Sequence, residues 1–226
     1  MKVIAVIPAF NEAERIAKTV RDVCPYVDAV VVVDDGSTDA TSSLAHVGDT
    51  IVLTHRVNRG QGAALRTGTE AAIRLEADVI VHVDGDGQHD PTYIPALIRP
   101  IANHEADIVF GSRFLDEMPI GIPWSRRALL YAARTFNAIV MGIPRSVSDP
   151  QNGMRAMSCN AAVVIRFTQD RMAHCSEILR LATRSGLRWI EIPVCVRYSS
   201  ESLSKGQKNS DALTIAWQLF MGLFSS

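Results

Sequence analysis

Val83-Asp84-Gly85-Asp86-Gly87-Gln88-His89-Asp90-Pro91 decides how the rest of the chain reads. It follows Asp78-Val79-Ile80-Val81-His82, an apolar, β-branched run of the kind that forms a strand buried on both faces. Asp84 and Asp86 then stand just past the carboxyl end of a parallel strand, where open α/β sheets bind ligands. In an extended segment, side chains two apart share a side. Asp84, Asp86 and Gln88 would therefore face one way, and two carboxylates so placed repel unless a cation or proton offsets them. An all-oxygen set suits Mg2+ or Mn2+ rather than zinc. Gly85 and Gly87 leave room for a ligand against the backbone. The same letters also suit an acidic turn ahead of a helix begun at Pro91.

Upstream, the pattern recurs. Lys2 to Ile7 reads as a first strand, followed by the loop Pro8-Ala9-Phe10-Asn11-Glu12, with Asn11 a helix N-cap and Ile16, Val20 and Val23 on one helical face. This order places Pro8, Phe10 and Glu12 on the same rim as Asp84. Glu12 reads either as a ligand contact or as a first-turn acid complementing the helix dipole. Ala29 to Val33 is a second buried strand, ending in Asp34-Asp35-Gly36-Ser37-Thr38-Asp39. Capping accounts for Ser37 to Asp39. It does not account for two adjacent acids, and a carboxylate there can accept from a ribose hydroxyl or a nucleobase N–H. Thr50 to Thr54 is a third strand, after which Asn58-Arg59-Gly60-Gln61-Gly62 opens a helix. Its glycines and helix N-terminus are suited to phosphate oxygens, although the spacing is neither a Walker loop nor G-x-G-x-x-G.

Downstream, Pro91 to Ile101 reads as a helix and Asp107 to Arg113 as a strand with Arg113 at its end, to pair with a diphosphate or with a local acid. Phe114 to Val147 mixes apolar and basic residues around Trp124, Arg126, Arg127, Arg134 and Phe136, as in an amphipathic helix on an anionic surface or a packed helix with snorkelling arginines. Ser148 to Arg155 reads as a polar loop holding Asp149. Cys175 to Ser185 reads as a helix capped by Gly186, with Glu177 either a site acid or a helix-dipole partner. Trp189 to Val196 is the last strand. Arg197 to Lys208 is a polar loop with three cations, of the length typical of lids.

Composition narrows the class. The chain has 226 residues, 47% of them hydrophobic, ample for one α/β domain. With 23 Lys and Arg against 24 Asp and Glu, there is no basic excess to suit nucleic acid. Cys24, Cys159, Cys175 and Cys195 are scattered without C-x-x-C spacing, as expected in a reducing compartment and a cytoplasmic setting. No run reaches the ~18 apolar residues of a spanning helix.

Taken together, Ile7-Pro8-Ala9-Phe10-Asn11-Glu12, Asp34 to Asp39, Asn58 to Gly62, Asp84 to His89, Gly111-Ser112-Arg113, Ser148-Asp149-Pro150, Asn152-Gly153-Met154-Arg155, Glu191 to Val194 and Ser202 to Gly206 resemble the family 2 glycosyltransferases of GT-A fold. The similarity is greatest to the polyprenyl-phosphate sugar synthases. It covers nearly the whole chain. It implies one domain over 1–226 with a mostly parallel twisted sheet flanked by helices: a nucleotide-sugar half (1–115) and an acceptor half with a C-terminal helix (116–226). It further implies that Pro8, Phe10, Glu12 and Asp35 bind the nucleoside, and that Asp86 and Gln88 ligate the metal. Asp84 would contact ribose or sugar with Gly85 beside it, Arg113 would lie near the donor, and Arg197 and Lys205 would close over the phosphates. The loop after Arg197 is longer than the family's usual one. Family members often carry one or two pairs of C-terminal membrane helices, of which this chain, if complete, has only the apolar stretch ending at Phe224.

The reaction so implied is metal-dependent, inverting transfer of a sugar from a GDP- or UDP-sugar to a polyprenyl phosphate. A lipid phosphate is already ionised and needs little base. A hydroxyl acceptor would need one, and Asp149 and Glu177 are the candidates. The rivals are a retaining transferase acting on a small soluble acid such as phosphoglycerate, a nucleotidyltransferase, and a non-catalytic nucleotide-binding protein. Peripheral contact with the inner face of the membrane and a homo-oligomer are both open to such a chain.

Overall fold

The computed structural model describes residues 1–115, 144 and 146–196. Seven strands form one sheet: β1 (Val3–Ala9), β2 (Ala29–Asp34), β3 (Ile51–Thr54), β4 (Val79–His82), β5 (Ile108–Ser112), β6 (Arg155–Ser158) and β7 (Trp189–Pro193). Their spatial order is β3-β2-β1-β4-β6-β5-β7. All neighbouring pairs are parallel except those of β6, which runs antiparallel to both β4 and β5. The helices are α1 (Ile16–Val23), α2 (Thr41–Leu44), α3 (Gln61–Arg74), α4 (Ile94–Ala102), α5 (Cys159–Val164) and α6 (His174–Arg184).

The period-two alternation of β1 sorts the core into two layers. Ile4 and Val6, with Val31 and Val33 of β2, pack under α3, α5 and α6. Val3, Ala5 and Ile7, with Val30 and Val32, pack over α1 and α4. Every residue of β1 is buried, which is why the strand reads as continuously apolar. Helix α3 lies close on the sheet because it is lined with small residues. A Cβ at Gly68 would lie 2.3 Å from Val6 Cγ1.

The sequence does not announce β6. Ser148 to Arg155 reads as a polar loop, yet Asn152 to Arg155 is buried and Arg155 opens a central strand. The 1–115 and 116–226 halves therefore share one sheet, with β6 of the second lying between β4 and β5 of the first. Asn11 does not cap α1, which begins at Ile16. Its backbone is left-handed (φ 54°), and its side-chain oxygen accepts from the Thr38 N–H at 2.9 Å. Gly186 does close α6: its φ is +68°, and the N–H of Leu187 reaches back to the Ala182 carbonyl. The last strand ends at Pro193, and Val196 forms an isolated antiparallel bridge with His89.

Candidate active site

The carboxyl ends of β1, β2 and β4 converge on one rim, as the parallel order dictates. Asp84 is its centre. Gln61 Nε2 donates to Asp84 Oδ1 at 2.7 Å, and the Asp84 N–H donates to His89 Nδ1 at 3.4 Å. His89 Nε2, the nitrogen left with the proton on a neutral ring, stands 3.7 Å from Asp84 Oδ2. A Cβ at Gly153 would lie 2.5 Å from the same oxygen. Two distant segments, at Gln61 and Gly153, and His89 of the same loop thus surround one carboxylate. The sequence reading did not single out Gln61, His89 or Gly153 as neighbours of Asp84.

The loop after Asp84 turns at Gly85 and Asp86 rather than running extended, so a same-side alternation does not describe it. Gln88 instead folds back: its backbone N–H donates to Asp86 Oδ1 at 3.0 Å and its amide to Oδ2 at 2.6 Å. Gly85 does not leave space for a ligand. A Cβ there would lie 2.6 Å from the Pro8 carbonyl, so glycine is required by the close approach of β1. The carbonyl of Gly85 accepts from Thr19 Oγ1 of α1. Burial, then the charge of Asp84, raise the Asp86 pKa above the ordinary carboxylate value. Glu12 adds a smaller push, and the Gln88 N–H and His89 oppose it. A cation would relieve that strain.

Among the described residues no group of three or more His, Cys, Asp or Glu is arranged to hold a metal ion. One or two carboxylates plus an amide oxygen, completed by substrate phosphates, is the usual protein share of a Mg2+ site. Asp86 offers such a carboxylate, although both its oxygens accept from Gln88, whose amide would have to turn its oxygen toward a cation to join the site.

Glu12 is held by its neighbours: its N–H donates to Thr41 Oγ1 at 2.8 Å and its carboxylate pairs with Arg15 at 3.1 Å. Phe10, at 43% exposed, presents its ring to solvent beside Pro8. Asp34 and Asp35 are both buried. Asp34 accepts from the Ser37 N–H at 3.0 Å. Asp35 accepts from His55 Nδ1 at 2.7 Å and from the N–H groups of Arg59 and Gly60 at 3.0 and 2.6 Å. Its first role is therefore to tie the loop before α3 to β2.

The α3 N-terminus is not an open anion cradle. The Asp170 carbonyl accepts from the Ala63 N–H at 3.1 Å. Cβ atoms at Gly60 and Gly62 would meet the carbonyls of Asp170 and Gln169 at 2.4 and 2.1 Å. Those glycines admit a neighbouring chain segment, which corrects the phosphate reading.

On the far side of the rim, Arg113 pairs with an acid. Its Nε donates to Asp149 Oδ2 at 2.7 Å and its Nη2 to Oδ1 at 2.8 Å, with its own backbone N–H adding a third bond at 3.1 Å. Asp149 is positioned in turn by Glu191 of β7, which accepts from the N–H groups of Ser148 and Asp149. Glu177 accepts from the Thr168 and Gln169 N–H groups at 3.0 and 2.8 Å and is 7% exposed. It stands in the first turn of α6, as a helix-dipole partner would, and its oxygens anchor the 168–169 loop. Arg197, Lys205, the arginine-bearing stretch 124–136 and the apolar stretch 212–224 lie outside the described residues.

The model of the family described as glycosyl transferase family 2 matches residues 4–170. The chain belongs to glycosyl transferase family 2. It is a glycosyltransferase, and the match spans the strand ends that carry Asp35, Asp84, Asp86 and Asp149. This family-2 chain is 33% identical over 224 residues to an uncharacterized protein of Methanocaldococcus jannaschii, covering 97% of this chain and 91% of that one. It is 29% identical to the UDP-N-acetylglucosamine–dolichyl-phosphate N-acetylglucosaminyltransferase of Methanococcus voltae, covering 96% and 94%. In fold it is similar to glucosyl-3-phosphoglycerate synthase from Mycobacterium tuberculosis, solved with Mn2+, uridine diphosphate and glucosyl-3-phosphoglycerate. There the TM-score is 0.76 at 22% identity, over 99% of this chain and 79% of that one. Among the described residues, no helix of this glycosyltransferase is long and apolar enough to cross a membrane.

Proposed function

We propose that this glycosyltransferase moves a sugar from a GDP- or UDP-sugar onto a polyprenyl phosphate, with inversion at the anomeric carbon and with Mg2+ or Mn2+ as cofactor. The observation that carries the acceptor class is the engagement of both acids that the sequence offers as a base. Asp149 is clamped by Arg113, and Glu177 is spent on the 168–169 backbone. A hydroxyl acceptor must lose a proton to a positioned base. A phosphate monoester, with its second pKa near ~6, is already the nucleophile at neutral pH. The dolichyl-phosphate named for the Methanococcus voltae relative is of that class.

The remaining roles follow the rim. The exposed ring of Phe10 and the backbone of Pro8 offer a nucleoside platform, bounded by Glu12 and the buried Asp35. Asp84, braced on three sides, orients a ribose or sugar hydroxyl as acceptor. Asp86 and Gln88 would hold the metal, which when bound supplies Lewis-acid neutralisation of the departing diphosphate. Arg113, fixed by Asp149, borders the donor. Arg197 and Lys205 supply charge-assisted hydrogen bonds to the phosphates. That charge grows toward the transition state, so Lys205→Ala lowers kcat more than it weakens donor binding.

A panel of GDP- and UDP-sugars, offered with Mg2+ or Mn2+ to a polyprenyl phosphate and in parallel to 3-phosphoglycerate, tests the reading. The expected product is a lipid-linked sugar phosphodiester of inverted anomeric configuration, identified by mass and NMR. Transfer to 3-phosphoglycerate and none to the lipid would overturn it.

A further inference from the structure

Arg155 opens β6 with its side chain completely buried. A guanidinium keeps its charge in proteins, and an unpaired buried charge is costly. Yet among the described residues none of its hydrogen-bond partners is a carboxylate. Nε donates to the Gly153 carbonyl at 3.0 Å, and Nη2 to the Asn152 carbonyl and Cys175 Sγ, each at 3.2 Å. Nη1 has no hydrogen-bond partner among the described residues.

His82 of β4 is its register partner. The Thr69 hydroxyl donates to the Leu65 carbonyl at 2.7 Å and so accepts from His82 Nε2 at 2.9 Å. The other ring nitrogen then carries a lone pair. Burial first, then the charges of Arg155 and His174, push the His82 pKa well below its usual value and keep the ring neutral. The counter-charge must come from elsewhere.

Cys175 of α6 is also buried. His174 donates from Nδ1 to the Arg171 carbonyl at 2.8 Å, which turns its Nε2 to the sulfur at 3.4 Å. The titratable and charged groups around the sulfur are thus His174 on its own helix and Arg155 on β6, with His82 beyond the guanidinium.

We propose that Cys175 is the thiolate counter-ion of Arg155, and that this buried pair positions the Asn152–Gly153 backbone against Asp84. On ionisation the thiol proton is released to solvent, and the cluster loses one positive charge. Arg155 grips the carbonyls of Asn152 and Gly153, and Gly153 sits directly on Asp84. The pair therefore acts through the backbone on the donor carboxylate, and this part of the inference rests on the donor site proposed above. Burial raises the thiol pKa, but His174 and Arg155 together more than offset it and bring it down to about 7, from an ordinary 9.0.

The test has two arms. The first follows thiolate ultraviolet absorbance of the native chain against pH with no donor present. One of the four thiols should ionise with a midpoint near 7, and Cys175→Ser should lose that step. In the second, Cys175→Ser should raise the donor KM roughly 10-fold or more, the scale on which outer-shell partners act, with kcat less affected. Wild-type donor KM should fall as pH rises through 7, while Cys175→Asp, ionised throughout, should keep a low and flat KM. A native thiol that stays protonated to pH 9.0 overturns the proposal, and this arm decides even where the variants do not fold. A folded Cys175→Ser with wild-type KM and pH profile overturns the positioning role. A wild type that ionises the thiol near 7 but binds no nucleotide keeps the ion pair and overturns the donor-site reading instead.

Discussion

At the scale of single residues, the rim shows stability set against chemistry. Asp86 has a folded pKa raised above 3.8 by burial and by Asp84. As pH rises from that value, the unfolded state releases the proton first, so stability falls across the window and stays lowest above it. In metal-free buffer at neutral pH, Asp86→Asn should therefore raise Tm in calorimetry. The same change should lower metal-dependent transfer by at least ~100-fold in a product-mass assay. Gly153→Ala should also weaken the site: the new methyl collides with Asp84, so donor affinity should drop in calorimetric titration. Asp35→Ala should cost ~1–3 kcal/mol in denaturant unfolding, because it leaves the Arg59 and Gly60 N–H groups unpaired. The acids of the rim were legible as strand-end carboxylates. Their partners were not, because a partner such as His55 for Asp35 or Arg113 for Asp149 is fixed by tertiary approach, on which spacing is silent. Glu177 shows the same limit. Its position near a helix start suggests a dipole role, while its oxygens in fact hold a loop several residues back.

At the scale of elements, legibility followed chemistry. β1, β2 and β4 are built mostly of Val, Ile and Ala buried on both faces, and such runs announce themselves. β6 is Arg155-Ala156-Met157-Ser158: four residues, none β-branched, begun by a cation. Nothing in that composition speaks for a strand, and its place is dictated by β4 and β5 on either side. α3 shows how small residues set spacing. Gly68→Ala should cost ~1–3 kcal/mol by overpacking against Val6, read as a lower denaturant midpoint with unchanged slope. The glycines at the head of α3 were legible as special positions, but their reason is the carbonyl pair of Gln169 and Asp170 rather than an anion.

At the scale of the whole molecule, β6 makes the two halves interdependent. A fragment ending at residue 115 would carry β4 and β5 with the strand between them missing. It should show no cooperative thermal transition by circular dichroism, whereas the full chain should. The bracing of Asp84 by His89 of its own loop and by Gln61 and Gly153 from segments far apart in sequence has a consequence for how this protein can change. Neighbours that share one carboxylate do not vary independently. Single substitutions at these positions will each look forbidden, while combined ones can reach a second working arrangement that no single step passes through. The accessible mutational routes to a new donor preference are therefore ridges rather than slopes, and a library that randomises positions 61, 89 and 153 together will find variants that three separate libraries discard.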